Sequence, residues 1–218
     1  MTTPAERAGA FCRRFGMTAP ILLAPMAGVG APGLSAAVIS AGGMGALGAL
    51  LLEPAEIGDW VRRVRAAGDG PFQLNLWVPE PAPTRDPERE AAVRAFLSQW
   101  GPTPAVQAGD AVPPDFFAQF EALLAASPAA VSSVMGLFPA ENLRRAKAKG
   151  IAWFATVTTL DEAKRAEEAG ADVIVAQGME AGGHRGAFAA IDAERDLVGL
   201  FSLVPAVADA VTVPVVAS

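Results

Sequence analysis

Short apolar segments alternate with helical segments along the whole chain, and this alternation restricts the possible folds more than any other feature of the sequence. Strands buried on both faces read as continuous apolar runs, and strands joined by helices pair in parallel. The predicted strands are residues 21–26, 44–51, 72–77, 130–136, 151–157, 172–177 and 211–218. The pattern predicts an α/β fold with a parallel sheet, which is either an open doubly wound sheet or a TIM (β/α)8 barrel.

The length of the chain bears on the barrel alternative. A complete barrel takes about 250 residues, whereas this chain has 218. Residues 211–218 begin a seventh strand, and no helix or eighth strand follows. No linker divides the sequence, so we expect residues 1–218 to form a single domain. As a barrel it would be incomplete, with about seven strands, and its C-terminal part would be missing.

Composition excludes several classes of protein. The net charge is −6 and no basic run occurs, which argues against a nucleic-acid partner. A single cysteine, Cys12, cannot form an internal disulfide and suits a reducing compartment. The N-terminal residues lack the apolar core of a secretory signal, so we expect a cytoplasmic protein. One cysteine and one histidine are too few for the usual structural metal site, so we expect no metal.

Residues 15–52 contain no charged side chain, which raises the question of a membrane segment. A membrane helix needs about 20 consecutive apolar residues. Here three prolines and eight glycines interrupt the run. We interpret this stretch as two buried strands with a short helix between them, and we expect no contact with a membrane.

Residues 171–186 join the end of an apolar strand to a glycine-rich loop. The loop carries His184, the only histidine of the chain, directly after Gly182 and Gly183. Glycines can bring bare backbone amides against a ligand, although a glycine pair can also be an ordinary turn. An isolated histidine is more often structural than functional. Its place after the carboxyl end of a strand, where barrel active sites lie, makes His184 a candidate catalytic residue.

Two amide side chains lie late on predicted strands. Alternation along residues 72–77 puts Gln73, Asn75 and Trp77 on one face, and Gln177 ends the strand that leads into the loop. Each amide can be a satisfied polar residue inside a barrel. Each can equally bind a planar polar ligand, because an amide both donates and accepts, which suits the edge of a flavin.

A glycine motif near the N-terminus offers a competing interpretation. Gly28, Gly30 and Gly33 match G-x-G-x-x-G between a predicted strand and a predicted helix, and Glu53 follows 20 residues after the last glycine. This spacing is typical of a dinucleotide-binding site. The same glycines are also consistent with a tight strand-to-helix turn, and a single match of this kind is weak support.

Three segments together resemble the nitronate monooxygenases, formerly called 2-nitropropane dioxygenases. They are Pro-Ile-Leu-Leu-Ala-Pro-Met-Ala-Gly from residue 20, Leu-Asn-Leu-Trp from residue 74, and residues 155–186. The resemblance covers residues 20–218. The motif Gln-Gly-x-Glu-Ala-Gly-Gly-His-x-Gly is specific to this family and its close flavin-dependent relatives, and it outweighs the dinucleotide motif.

The resemblance implies a TIM barrel that binds FMN non-covalently. It also implies that an alkyl nitronate is oxidised by O2 to a carbonyl compound and nitrite. By position, His184 would be the catalytic residue. The residues implied to bind the cofactor are the Met26 backbone, the Asn75 and Gln177 side chains, and Gly182 and Gly183.

Two departures from the family pattern qualify these expectations. Residues 131–136 lack the aromatic side chains expected in the fourth strand, which affects the substrate pocket more than the cofactor. The glycine-bearing loops that hold the FMN phosphate in the family would follow Ser218, so this chain is expected to bind FMN poorly. Two other functions stay open: an FMN-dependent NAD(P)H reductase acting on a quinone or an enoyl thioester, and a non-catalytic fragment or partner module. The oligomeric state is left undetermined.

Overall fold

The computed structural model describes residues 3–81 and 84–218. Residues 3–78 and 114–218 form one compact unit, and residues 79–81 and 84–113 belong to a second, small one. The helices are α1 (Pro4–Phe15), α2 (Pro32–Ser40), α3 (Pro54–Ala67), α4 (Pro87–Leu97), α5 (Phe116–Ala126), α6 (Ala140–Ala148), α7 (Leu160–Glu168) and α8 (Leu200–Ala210). Among the described residues, none of these helices combines the length and apolar character that crossing a bilayer requires.

Six parallel strands form one sheet in the larger unit. They are β1 (Gly45–Gly48), β2 (Phe72–Trp77), β3 (Ala130–Val134), β4 (Ala152–Val157), β5 (Val173–Ala176) and β6 (Val215–Ala217). Each strand pairs with the next one along the chain, so the order in space is β1-β2-β3-β4-β5-β6. The sheet curls into a half-barrel. This confirms the prediction of an incomplete TIM barrel. It excludes the dinucleotide-binding interpretation, because a doubly wound sheet reverses its strand order at a switch point.

The first predicted strand, residues 21–26, forms only one parallel bridge, between Leu22 and Met44. The sheet therefore has six strands rather than about seven among the described residues. Pro20 and Pro25 lie near the two ends of the segment, and a proline has no N–H to donate to a ladder. Leu23 N still donates to the carbonyl of Met44 at 2.9 Å, so the segment lies beside β1 without extending the sheet.

The outer face of the sheet packs against the helices. Its strands contribute alternate apolar residues, among them Leu74, Leu76, Trp153 and Ile174, all at most 1% exposed. The Trp153 indole Nε1 donates to the hydroxyl of Ser133 at 3.0 Å, so the buried polar group has a partner. This layer leaves the other residues of each strand, including Asn75, for the barrel interior.

The N-terminal helix α1, which was not predicted from the sequence, closes the amino-terminal end of this interior. Thr3 and Glu6 form a capping box at its start. Phe11 and Phe15 pack in a second apolar cluster with the inward-facing Phe154, and the rings of Phe15 and Phe154 meet edge to face at 5.1 Å. The helix blocks one end of the barrel interior and leaves the carboxyl ends of the strands free.

The small unit contains α4 and a 3₁₀ turn at Val106–Asp110. Arg85 donates to the carboxylates of Glu90 and Asp110, the latter at 2.6 Å. Hydrogen bonding to Arg85 holds the pKa of Glu90 below its ordinary value.

Candidate active site

Asn75 lies near the carboxyl end of β2, on the inner face of the sheet. It is 6% exposed and pairs in register with Ser132 of β3. Its side-chain nitrogen Nδ2 donates to both the carbonyl and the hydroxyl of Ser132, each at 3.1 Å. Within the described part of the chain, no group donates to Asn75 Oδ1. The neighbouring strand therefore fixes the orientation of the amide and leaves its oxygen as an available acceptor.

The backbone of Met26 crosses the carboxyl end of β1 beside Gly48. A Cβ atom on Gly48 would lie 2.8 Å from Ala27 N and 2.9 Å from the carbonyl carbon of Met26. Only a glycine permits so close an approach. Gly48 pairs in register with Asn75, so this contact brings the Met26 backbone to the end of the sheet where Asn75 lies.

Gln177 follows β5 and clamps the glycine-rich loop across its own side chain. Its Nε2 donates to the carbonyl of His184 at 2.9 Å, and its Oε1 accepts from Gly186 N at 2.7 Å. The side chain is 9% exposed. Both amide atoms are thus engaged within the loop, and one N–H and one lone pair remain for any ligand.

Gly182 and Gly183 form the exposed turn of this loop. Gly183 has φ +83°, which favours glycine. No described atom lies within 4 Å of the place a Cβ would take on either residue. The backbone of the turn is therefore free of other side chains and accessible from outside the barrel.

His184 is exposed, and its ring meets the ring of Trp77 at the end of β2. The two ring centroids are 4.7 Å apart, and the planes meet at 64°, an edge-to-face arrangement. Trp77 is two residues beyond Asn75 and shares its face of the strand. The contact therefore brings the loop after β5 against the inner face of β2, across the mouth of the half-barrel.

The side chains of Arg185 and Glu162 also form hydrogen bonds that hold the loop. The guanidinium of Arg185 donates to the carbonyls of Gln177 at 3.0 Å, Thr158 at 3.3 Å and Asp196 at 2.7 Å. Its Nε is buried without a partner among the described residues. The carboxylate of Glu162, on α7, accepts from Thr158 and from the backbone N–H of Phe188.

Glu180, in the same loop, joins it to α8. Both of its carboxylate oxygens accept from Leu200 N, at 3.1 and 3.0 Å. Leu200 is the first residue of α8, where backbone N–H groups have no partner inside the helix and an acidic side chain is favourable. Hydrogen bonds therefore hold the two sides of the loop, and its exposed turn carries the glycines.

The structure gathers all six predicted site residues at the carboxyl ends of the strands. Met26 lies at β1, Asn75 in β2, and the remaining four follow β5. Trp77 was not predicted as a site residue, although alternation already put it on the face of Asn75. Arg185 and Glu162 were not predicted either, because each depends on a partner more than 20 residues away, Thr158 for Arg185 and Phe188 for Glu162.

The residues at this mouth fit a planar, uncharged ligand with a hydrogen-bonding edge. The inner face offers the free oxygen of Asn75, the amide of Gln177 and the aromatic ring of Trp77, and the glycine turn leaves open space above it. No cluster of three metal-ligating side chains occurs in the described residues. Such a donor set suits the ring system of a flavin.

A curled sheet of parallel strands with convergent polar groups at their carboxyl ends defines the class of α/β-barrel enzymes. The family model described as nitronate monooxygenase matches residues 11–218. The chain therefore belongs to the nitronate monooxygenase family.

Individual relatives agree with this assignment. The chain is 39% identical over 214 residues to a nitronate monooxygenase of Paraburkholderia phytofirmans, covering 93% of this chain and 57% of the relative. It is 34% identical over 212 residues to a probable nitronate monooxygenase of Bacillus subtilis, covering 95% and 60%. The chain thus spans about 57–60% of the length of these curated relatives.

Solved structures show the same likeness. A nitroalkane oxidase from Streptomyces ansochromogenes superimposes with a TM-score of 0.85 at 35% identity, covering 95% of this chain and 60% of that one. FabK from Thermotoga maritima superimposes with a TM-score of 0.69 at 26% identity, covering 95% and 53%.

Proposed function

We propose that the protein binds FMN at the carboxyl ends of its strands and oxidises alkyl nitronates by O2 to a carbonyl compound and nitrite. The observation that supports this most directly is the placement of His184. The loop after β5 holds it against Trp77, at the end of the barrel where Asn75 and Gln177 also lie. The relatives named nitronate monooxygenase support the same reaction. Because the chain spans 57–60% of their length, the reaction is a proposal for this protein.

The geometry of the mouth supports the cofactor residues that the family resemblance implies. The oxygen of Asn75 would accept from the flavin ring, and the remaining N–H of Gln177 would donate to it. The backbones of Met26, Gly182 and Gly183 would pack against it, since no side chain intervenes at either glycine or at Gly48. Bound flavin would supply the electron-accepting chemistry that these side chains lack.

His184 has two tasks open to it. Its imidazole can take the α-proton of a neutral nitroalkane, or in its protonated form it can hold the anionic nitronate beside the ring. Trp77 limits the swing of the imidazole on one side. The clamp from Gln177 to the carbonyl of His184 fixes the backbone from which the imidazole extends. A fixed starting geometry of this kind lowers the cost of reaching the reacting arrangement.

The test combines nitrite release with flavin binding. The protein, supplied with FMN and an alkyl nitronate in air, should release nitrite and consume O2. His184→Ala should lower kcat/KM by about 100-fold or more. The absorbance of the protein-bound flavin should stay unchanged. Lys164→Ala, on the exposed side of α7, serves as the control and should behave like the parent. Nitrite release that survives His184→Ala would refute the assignment of His184.

The same preparation separates the two other functions. Anaerobic bleaching of the flavin by NAD(P)H, followed by reoxidation with a quinone or an enoyl thioester and without nitrite, would indicate the reductase. A protein that binds no flavin and becomes ordered only with another protein would indicate a partner module.

A further inference from the structure

Glu162 is a buried carboxylate whose hydrogen bonds join the turn after β4 to the loop after β5. It is 7% exposed. Its Oε2 accepts from the N–H of Thr158 at 2.6 Å and from the hydroxyl of Thr158 at 2.8 Å. Its Oε1 accepts from Phe188 N at 2.6 Å, 26 residues further along the chain. The charge is thus met by three short hydrogen bonds.

No cationic side chain forms an ion pair with Glu162 in the part of the chain that the structure describes. Burial of a carboxylate without a cation is costly unless its oxygens are fully hydrogen-bonded. An apolar side chain could fill the same space without that cost, but it would leave the backbone N–H groups of Thr158 and Phe188 without an acceptor. The position therefore requires an acceptor with two oxygens, one for each of two separate backbone segments.

The two segments that Glu162 joins are also those that hold the loop of His184. Thr158, whose N–H and hydroxyl bind Glu162, accepts through its carbonyl from Arg185 at 3.3 Å. Arg185 is the residue after His184 and donates in turn to the carbonyl of Gln177 at 3.0 Å. Phe188, the other partner of Glu162, lies two residues after Gly186, which Gln177 clamps.

We propose that Glu162 is a positioning residue, which sets the place of His184 by holding Thr158 and Phe188 on the two sides of its loop. This inference rests on the function proposed above only in the use of His184. Among the described residues, Glu162 forms hydrogen bonds with Thr158 and Phe188 and none with His184. Its effect passes through the backbone of the loop, because the loop is fixed at Phe188 and at the carbonyl of Thr158 to which Arg185 donates.

The substitution Glu162→Gln tests the requirement for two acceptor oxygens with little change of volume. The amide can accept through one oxygen only, so either orientation leaves a buried backbone N–H, of Thr158 or of Phe188, facing an NH2 group. We expect kcat for nitrite release to fall by about 10- to 100-fold, the effect of a shift on the order of 1 Å in a reacting group. Bound FMN should be retained.

The control is Glu167→Gln, the same change on the same helix. Glu167 also accepts backbone N–H groups, from Thr212 at 2.6 Å and Val213 at 3.3 Å. Those residues precede β6 at the amino-terminal end of the barrel, away from His184. A general loss of helix anchoring would affect both variants alike, whereas a positioning role changes Glu162→Gln alone.

A second measurement does not depend on activity. His184 is the only histidine of the chain, so its imidazole C–H signals in an NMR spectrum are assigned without further work. The ring of Trp77, 4.7 Å away, should displace these signals from their free positions, and Trp77→Leu should remove that displacement. Glu162→Gln should move them towards the Trp77→Leu positions, and Glu167→Gln should leave them in place.

The outcomes separate the inference from the proposed function. Displaced His184 signals in Glu162→Gln without nitrite release by any form would support the inference and refute the function. Nitrite release by the parent, with Glu162→Gln matching Glu167→Gln in both kcat and NMR signals, would overturn the inference. If Glu162→Gln fails to fold, Thr158→Val removes only one donor and should give a smaller change in the same direction. Unchanged signals in Thr158→Val would then overturn the inference as well.

Discussion

The close approach of Met26 to Gly48 gives a prediction whose size follows from the structure. In Gly48→Ala, the new methyl group would lie 2.8 Å from Ala27 N and 2.9 Å from the carbonyl carbon of Met26. Ordinary van der Waals contact begins near 3.4 Å, so the backbone at residues 26–27 must retreat by about 0.6 Å. Backbone atoms cannot rotate away as the end of a side chain can. We expect a loss of about 1–3 kcal/mol in the free energy of unfolding, as for other overpacked sites.

Gly58→Ala is the matched control for this substitution. Gly58 lies within α3, and no described atom outside the helix backbone comes within 4 Å of the place a Cβ would take. Alanine there should raise the free energy of unfolding by about 0.5–1 kcal/mol, because glycine is the more costly residue inside a helix. The same chemical change thus has opposite signs at the two positions.

Urea unfolding followed by circular dichroism measures both variants, and titration with FMN measures the effect on the proposed site. Gly48→Ala should also weaken FMN binding, since the displaced segment carries the Met26 backbone. An unfolding midpoint of Gly48→Ala equal to that of the parent would refute the steric reasoning. Lower stability with unchanged FMN affinity would refute the role of Met26 in binding.

Three further predictions concern the Gln177 clamp, the hydrogen bonds of Glu167 at the amino-terminal end of the sheet, and the packing of helix α1. Gln177→Leu removes the acceptor for the buried Gly186 N–H and should cost about 1–3 kcal/mol, seen as faster hydrogen exchange at Gly186. Hydrogen bonds from the hydroxyl and N–H of Thr212 hold the pKa of Glu167 below its ordinary value of 4.5. The ionised Glu167 therefore contributes to the free energy of unfolding above pH 4.5, and this contribution is lost as the pH falls through the lowered pKa. The difference in free energy of unfolding between the parent and Glu167→Gln, measured in urea, should vanish in acid. Phe15→Ala should cost about 3–5 kcal/mol, measured as a lower Tm, because the side chain is 8% exposed and packs in the inner cluster.

Strand positions could be predicted from the sequence because buried parallel strands leave a strong local signal. Residues 72–77 were predicted and form β2 with the same bounds, and residues 151–157 contain all of β4. The segment 21–26 gives the same apolar signal and yet forms one bridge, since prolines beside and within it remove donors. Apolar content reports burial, whereas ladder formation also needs free N–H groups.

The helix α1 shows the opposite case, a strong local signal with a weak apolar one. Thr3 and Glu6 give the capping-box spacing, and Gly16 ends the helix with φ +69°. Its apolar side is short, with Phe11, Cys12 and Phe15 the buried residues. This side is buried because it packs against Phe154 on the inner face of β4, and the local sequence does not reveal that contact.

Glu162 shows most clearly how far a local pattern reaches. The spacing of Thr159 and Glu162 predicts a capping box, and the hydroxyl of Thr159 does accept from Glu162 N at 3.2 Å. The reciprocal bond of a capping box, from the N–H of Thr159 to the carboxylate of Glu162, is not formed. The carboxylate accepts from Thr158 and Phe188 instead. A helix-capping pattern identifies an acidic side chain that accepts from backbone N–H groups. Which N–H groups donate to it depends on the loop that the fold places next to the helix. Here that loop carries His184. An acidic residue at the start of a helix therefore supports the loop of the residue on which the proposed chemistry depends.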